Sequence, residues 1–298
     1  MRSIYISVAI TSTLILFQSC NKTESENTIS TNNVQLEMPE EFLKIGELHN
    51  QAVDYVFQSL RDYYKTELKS SNTQVYHMTK QELLDFGQIK VNEFLITEGL
   101  IGEKDLCSLN FSAPSLNEEN TSEELEFYFS NIRDILAEEP TDLTVFATKL
   151  NLMNRKAELE LSTPQQIQSV YAGTSTTYSS YIYWKANYKK WIIALNYPEV
   201  LDQYTDEELN RLEFGEDDFF LPDDNMTKGW FKDKWEDVKT GVKDWWNNGG
   251  KDVIETDGAF GAAGAITGSI IPGAGTVAGA VGTGGTASIA ECIRQLLK

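Results

Sequence analysis

The spacing of apolar residues predicts helices along most of the chain from Met38 to about Asn196, where the strand pattern of alternating apolar and polar residues is scarce. Just after Pro39, apolar residues recur at steps of three and four, which places them on one face of a helix. Pro39 suits the first turn of that helix because its missing N–H would have no partner there. This face comprises Phe42, Ile45, Leu48, Ala52, Val56, Leu60, Tyr63 and Tyr64.

Four capping boxes indicate further helix starts in the same region. In each box a Thr is followed three residues later by Glu or Gln, and each side chain satisfies a backbone N–H that the helix leaves unpaired. The boxes are Thr79/Glu82, Thr121/Glu124, Thr163/Gln166 and Thr205/Glu208. We therefore predict an all-α fold with a helical bundle as its body.

An aromatic stripe with small residues between its rings follows Thr163. It includes Tyr171, Tyr178, Tyr188 and Trp191. Small residues permit close approach of helices, and buried Tyr hydroxyls need hydrogen-bond partners. We interpret the segment as the central core helix of the bundle, and a helix that lines a ligand site is the alternative.

The segment from Gly258 to Ala290 contains no charged residue, although the whole chain has a net charge of −20. Pro272 and Gly273 interrupt it, so we predict a Gly/Ala-rich helical hairpin with arms at 257–271 and 273–297. Glycines four residues apart allow helix backbones to touch. The glycines predicted to pack helices together or to contact a membrane are Gly261, Gly264, Gly268, Gly275 and Gly279.

The arms of this hairpin are short for a membrane anchor. An uncharged arm of about 14–18 residues spans roughly 21–27 Å, whereas a hydrocarbon core is about 30 Å thick. The hairpin therefore needs an apolar partner. That partner is a bilayer after oligomerisation, a membrane protein of a target cell, or the apolar faces of this protein itself.

A Trp-rich amphipathic helix is predicted over 226–250, just before the hairpin. Trp230, Trp235, Trp245 and Trp246 fall at helical steps, and charged residues occupy the opposite face. Indole rings favour the boundary between lipid headgroups and acyl chains, so this helix could lie on a bilayer. Packing on the helical body is the alternative.

The N-terminus has the form of a secretory signal, with Arg2 before an uncharged apolar run. The box Leu16-Phe17-Gln18-Ser19-Cys20 resembles the signal of bacterial lipoproteins, especially those of the Bacteroidota. The resemblance implies a diacyl anchor on Cys20 and a place in the cell envelope, at the outer membrane or cell surface. An ordinary cleaved signal that happens to contain Cys20 is the alternative.

The C-terminal run GAAGAITGSIIPGAGTVAGAVG and its Trp-rich lead-in resemble the glycine-zipper segments of bacteriocin-type peptides. The resemblance implies membrane insertion or permeabilisation through packing of small-residue helices, and it carries over no catalytic residue. The predicted divisions are a signal peptide at 1–20, a disordered tether at 21–37, the helical body at 38–225 and the C-terminal module at 226–298.

The remaining chemistry is sparse. His49 and His77 lie on separate segments, and neither has the neighbours that a metal or nucleophile motif requires. We expect no cofactor, no metal and no enzymatic activity, although hydrolysis by paired carboxylates stays open in so acidic a chain. The charge of −20 repels phosphate, so we expect no nucleic-acid partner. Cys107 and Cys292 are expected as two separate buried thiols, with a disulfide as the alternative.

Two functions follow from these patterns. The preferred one is an exported, lipid-anchored protein whose C-terminal module engages or inserts into a membrane, in a bacteriocin-like role. The alternative is a surface lipoprotein that acts as a non-catalytic binding or structural module, with its hairpin packed on the helical body.

Overall fold

The computed structural model describes residues 35–70, 77–104, 123–138, 142–198, 201, 249–270 and 275–297, which all belong to one compact unit, Asn33–Lys298. These residues form seven helices and contain no strand, which confirms the predicted all-α class. The helices are α1 (Glu40–Ser70), α2 (Lys80–Thr97), α3 (Glu123–Ala137), α4 (Leu143–Glu160), α5 (Pro164–Asn196), α6 (Lys251–Ile270) and α7 (Gly275–Leu296).

Two of the predicted capping boxes are formed. At the start of α2, the Glu82 backbone N–H donates to the Thr79 hydroxyl at 3.3 Å, and the Thr79 N–H donates to the Glu82 carboxylate at 2.7 Å. Thr163 and Gln166 form the same pair of bonds at the start of α5, where Pro164 is the first helical residue. The boxes predicted at Thr121 and Thr205 lie outside the described residues.

The predicted apolar face of α1 is buried against α5 and α7. Leu48 and Tyr63 are half-buried, and the other predicted members of the face are fully buried. The helical period therefore identified the correct face of α1. Burial of such a face supplies most of the stability of an amphipathic helix.

Helix α5 is the central helix of the bundle, as its composition predicted. Residues 169–177 are buried on every side of the helix. Two of the small hydroxyls among them are paired within the helix: Ser169 donates to the carbonyl of Gln165 at 2.8 Å, and Thr177 donates to that of Gly173 at 2.7 Å. This pairing lowers the cost of burying those two hydroxyls, whereas Thr176 Oγ1 is buried without a hydrogen-bond partner.

The C-terminal hairpin is formed by α6 and α7, and it is embedded in the body. Helix α6 packs against α5, α3 and α7, whereas α7 packs against α1, α2 and α5 as well as α6. The first arm begins at Lys251, six residues before the predicted start at 257. The prediction placed the start where the charged residues end, but Asp252 is exposed and Asp257 is buried with partners, so neither interrupts the helix.

Candidate functional site at the base of the hairpin

A fully buried carboxylate, Asp257 of α6, collects hydrogen bonds from three other side chains. Its Oδ2 accepts from Ser180 Oγ, from Trp184 Nε1 at 3.1 Å and from Ser288 Oγ at 3.0 Å. His49 Nε2 lies 3.8 Å from the same oxygen, and both side chains are fully buried. These residues, which we call the base cluster, come from α1, α5, α6 and α7. The cluster therefore joins both arms of the hairpin to the body.

Neighbouring residues define the protonation of the His49 ring. Asn50 Nδ2 donates to the carbonyl of Ser179 at 2.8 Å, which leaves its Oδ1 facing His49 Nδ1 at 3.2 Å. An amide oxygen only accepts, so Nδ1 carries the hydrogen. In the neutral ring, Nε2 then presents its lone pair towards Asp257. The Asn50 orientation is thus what assigns the tautomer.

Burial shifts the pKa values of the two titratable members in opposite directions. It raises the pKa of Asp257 to about 7, although the hydrogen bonds from Ser180, Ser288 and Trp184 oppose this rise. It lowers the pKa of His49 to about 4, against the opposing effects of Asn50 and the Gly284 backbone. Burial disfavours the charged form of each group. Near pH 5.5 the uncharged forms of both groups are therefore favoured.

A second buried charge links α1 to α5. Lys190, which is 5% exposed, donates to Asp54 Oδ1 at 2.9 Å, and its Nζ lies 4.5 Å from the centre of the Phe57 ring. The Asp54 side chain is 41% exposed, so this pair reaches solvent. The base cluster differs because neither Asp257 nor His49 reaches the surface. The charged and polar groups of the base cluster therefore interact only with other buried groups, whereas solvent can screen the attraction between Lys190 and Asp54.

The predicted glycines bring the two arms into backbone contact. A Cβ added at Gly264 would lie 2.8 Å from the Gly279 carbonyl carbon, and one added at Gly268 would lie 2.9 Å from Gly279 Cα. Both distances are shorter than ordinary van der Waals contact. We call Gly264, Gly268 and Gly279 the tip glycines, since they lie on the side of the hairpin towards its connection. Only residues without a Cβ fit at this crossing.

The other two predicted glycines have different surroundings. A Cβ at Gly261 would lie 2.6 Å from Thr176 Oγ1 of α5, so this position faces the body, although its backbone also lies beside Gly284 of the partner arm. Gly275 has open space where its Cβ would be, and its φ of 69° is left-handed. Glycine adopts this conformation without the steric penalty of other residues. Glycine is therefore favoured at position 275 by the left-handed backbone conformation at the start of α7 and not by a packing contact.

The remaining predicted sites lie outside the described residues. These are the lipidation site Cys20 and the four tryptophans Trp230, Trp235, Trp245 and Trp246. Cys107 also lies outside them, whereas Cys292 is a free and fully buried thiol on α7.

The sequence patterns did not predict the base cluster. None of them singles out Asp257, and His49 lacks the neighbours of a known motif. One signal was present: Asp257 falls three and four residues after Ile254 and Val253 and four before Gly261, on the series of positions that α6 buries. A lone carboxylate on an otherwise apolar helix face requires partners. Ser180 and Ser288 resembled generic small residues and gave no comparable signal.

The described residues contain neither a metal cluster nor a membrane-spanning helix. Across them, no group of three or more His, Cys, Asp or Glu residues is arranged to hold a metal ion. Within the same part of the chain, no helix combines the length and hydropathy needed to cross a bilayer.

Comparison with known proteins provides no relative for the chain. No family model matches it, and no curated protein and no solved structure matches it either.

Proposed function

We propose that this chain is a lipid-anchored protein of the bacterial cell envelope, in which the helical body is a non-catalytic binding or structural module and the hairpin is its permanent core. The observation that carries the proposal is the fit between the hairpin glycines and specific residues of the body.

Several hairpin glycines are in close contact with the body. A Cβ at Gly258 would clash with Thr177 Oγ1 of α5, and the contact of Gly261 with α5 is similarly close. On α7, a Cβ at Gly284 would lie 3.3 Å from His49 of α1. A hairpin that worked only in lipid would need close contact between its own arms, as at the tip glycines. Close contact with α1 and α5 supports a docked hairpin.

The body is adapted to the hairpin in turn. A Cβ at Gly173 of α5 would lie 3.1 Å from both Ala262 Cβ and the Gly258 carbonyl oxygen, and one at Gly87 of α2 would lie 2.6 Å from Ile289 Cγ2. Small residues thus occur on both sides of the interface. The buried base cluster presents no surface to a substrate, which supports a structural role for it.

The anchor is a separate part of this proposal, supported by the box that ends at Cys20. We expect the full chain to incorporate radiolabelled palmitate in a bacterial host, and we expect the Cys20→Ser variant to lose the label while its folded body is retained. Equal labelling of the two proteins would contradict the proposed anchor.

Membrane engagement by 226–298 is the second candidate function, and the uncharged run is the observation that favours it. The stretch from Gly258 to Ile270 spans only about 20 Å at 1.5 Å per residue, against a hydrocarbon core of about 30 Å. The hairpin would also have to leave the body in order to act. A covalent lock between hairpin and body therefore separates the two candidates.

Ala52 of α1 and Gly285 of α7 are suitable positions for this lock. A Cβ at Gly285 would lie 3.6 Å from Ala52 Cβ, inside the range of about 3.5–4.5 Å found in disulfides. The full-length double variant Ala52→Cys/Gly285→Cys is mixed, oxidised or reduced, with dye-filled vesicles of phosphatidylethanolamine and phosphatidylglycerol. The two single-cysteine variants are the matched controls.

We expect no dye release from either redox form, because the hairpin stays in the body with or without the lock. Release by the reduced double variant and the single variants, with none from the oxidised form, would contradict the permanent-core proposal and favour membrane engagement.

A further inference from the structure

The base cluster contains two fully buried titratable groups from different helices, His49 of α1 and Asp257 of α6, with 3.8 Å between Nε2 and Oδ2. We propose that they form a proton-sharing latch: together they hold one proton in the folded chain, and this makes docking of the hairpin nearly independent of pH in the acidic to neutral range. The latch concerns internal packing and goes beyond the proposed function.

The surroundings accommodate one proton on either group. On Asp257 the position for that proton is Oδ1, which has no hydrogen-bond partner, because Oδ2 already accepts from three donors. Asn50 keeps the hydrogen of the neutral ring on Nδ1, so the Nε2 lone pair faces Asp257. A proton on Nε2 would instead face the carboxylate. Oδ2 already accepts from Ser180, Trp184 and Ser288, which stabilises a negative charge there when the proton moves to His49.

Few other charges act on the latch. Glu291 of α7 raises the pKa of Asp257 and forms an ion pair with Arg294. Cys292 is buried on the same helix, and its pKa is raised by burial first and then by Asp257 and Glu291. Further along α6, Asp252 is exposed.

The remaining helices around Asp257 add no second cation to the latch. Arg133 of α3 is paired with Glu255 of α6. The side chains that α5 directs at Asp257 are the neutral Ser180 and Trp184, and α2 meets α7 through the neutral Gly87. In the described part of the chain, His49 is therefore the one basic group that pairs with Asp257.

The two groups contribute to stability with opposite dependence on pH. The folded pKa of Asp257, about 7, lies above its ordinary value of 3.8, so its contribution is complete below pH 3.8 and is lost as the pH rises through 7. The folded pKa of His49, about 4, lies below its ordinary value of 6.5, so its contribution is complete above pH 6.5 and is lost as the pH falls through 4.

The two effects nearly cancel when both groups are present. Between pH 4 and 6.5 the folded pair holds one proton, favoured on Asp257, and the unfolded pair holds one proton on His49. Stability changes with pH only when the folded and unfolded states bind different numbers of protons. Removing either partner should therefore uncover the dependence of the other.

The test compares the full-length chain with His49→Gln, Asp257→Asn and the double variant, by urea unfolding from pH 4 to 7. At each pH the unfolding constant of each protein is divided by that of the double variant, which cancels the effect of the other acidic residues. On acidification, the unfolding constant should fall about tenfold per pH unit in His49→Gln and rise about tenfold per unit below pH 6.5 in Asp257→Asn. The unfolding constant of the wild type, taken relative to that of the double variant, should change by less than about tenfold over the whole pH range.

A second measurement needs no substitution that could prevent folding. A ¹⁵N NMR titration of the full-length chain follows the ring nitrogens of His49 directly. We expect the His49 ring to keep its neutral Nδ1–H form until the pH approaches 4. Single variants that both follow the wild-type pH profile, or a His49 ring that gains its second proton near the ordinary value of 6.5, would overturn the latch. Neither measurement involves lipid, so this failure is distinguishable from failure of the proposed function.

Discussion

The tip and the base of the hairpin are held in place by different physical means. At the tip, glycines of α6 and α7 bring two backbones into contact, and Gly264 and Gly268 both face Gly279. At the base, a buried carboxylate, Asp257, gathers donors from α5 and α7 beside a histidine of α1. The tip packs closely because its glycines have no Cβ atoms, whereas the base requires particular hydrogen-bond donors around the Asp257 carboxylate.

This difference explains how a nearly uncharged segment acquires a unique position. Contacts between small residues are favourable but similar from one turn to the next, so they select a register weakly. A buried carboxylate is costly unless its donors are in place, and this requirement selects one arrangement. We infer that the tip provides close packing and that the base determines how the hairpin sits in the body.

The largest effect should come from adding volume at the tip. In Gly268→Leu the new side chain would meet Gly279 backbone atoms, which cannot move without separating the arms, so we expect a loss of more than about 4 kcal/mol in the free energy of unfolding. Urea unfolding of the full chain provides the measurement.

Thr267→Leu is the matched control for this substitution, because Thr267 is the preceding residue on α6 and is exposed. Its effect should remain within about 0.5 kcal/mol. Similar losses for the two variants would show that the backbone contact at the tip is not what excludes a side chain.

Removing the acceptor at the base should have the next largest effect. Asp257→Ala leaves the donors of Ser180, Trp184 and Ser288 buried without their acceptor, and we expect a loss of about 3 kcal/mol in the free energy of unfolding. Asp257→Asn retains a side-chain oxygen of similar shape and should lose about 1 kcal/mol or less at pH 7. An alanine variant as stable as the asparagine variant would contradict the role assigned to the acceptor.

The smallest effect should occur where the hairpin glycine is needed for its backbone alone. Gly275 has a φ of 69° and open space at the Cβ position, so Gly275→Ala introduces strain without a clash, and we expect a loss of about 1 kcal/mol. Thermal unfolding provides the measurement. A loss as large as that of Gly268→Leu would show that this position is a packing contact, contrary to the difference described here.

The sequence predicted the helices and the hairpin more fully than the base cluster. The period of α1, the boxes at Thr79 and Thr163 and the glycine spacing are local patterns, and each is found in the structure. The contact of Asp257 with His49 joins positions more than 200 residues apart. No local pattern records such a pairing, so nothing in the sequence indicated that the two residues lie together.

Amide hydrogen exchange of the full-length chain tests most directly the central claim that the hairpin is an integral part of the core. Helix α5 provides the internal standard because it is buried at the centre of the bundle. Protected amides of α6 and α7 should exchange with the same free energy of opening as those of α5, by unfolding of the whole unit. Exchange of α6 and α7 through a lower-energy opening, while α5 remains protected, would contradict the claim and identify the hairpin as a detachable element.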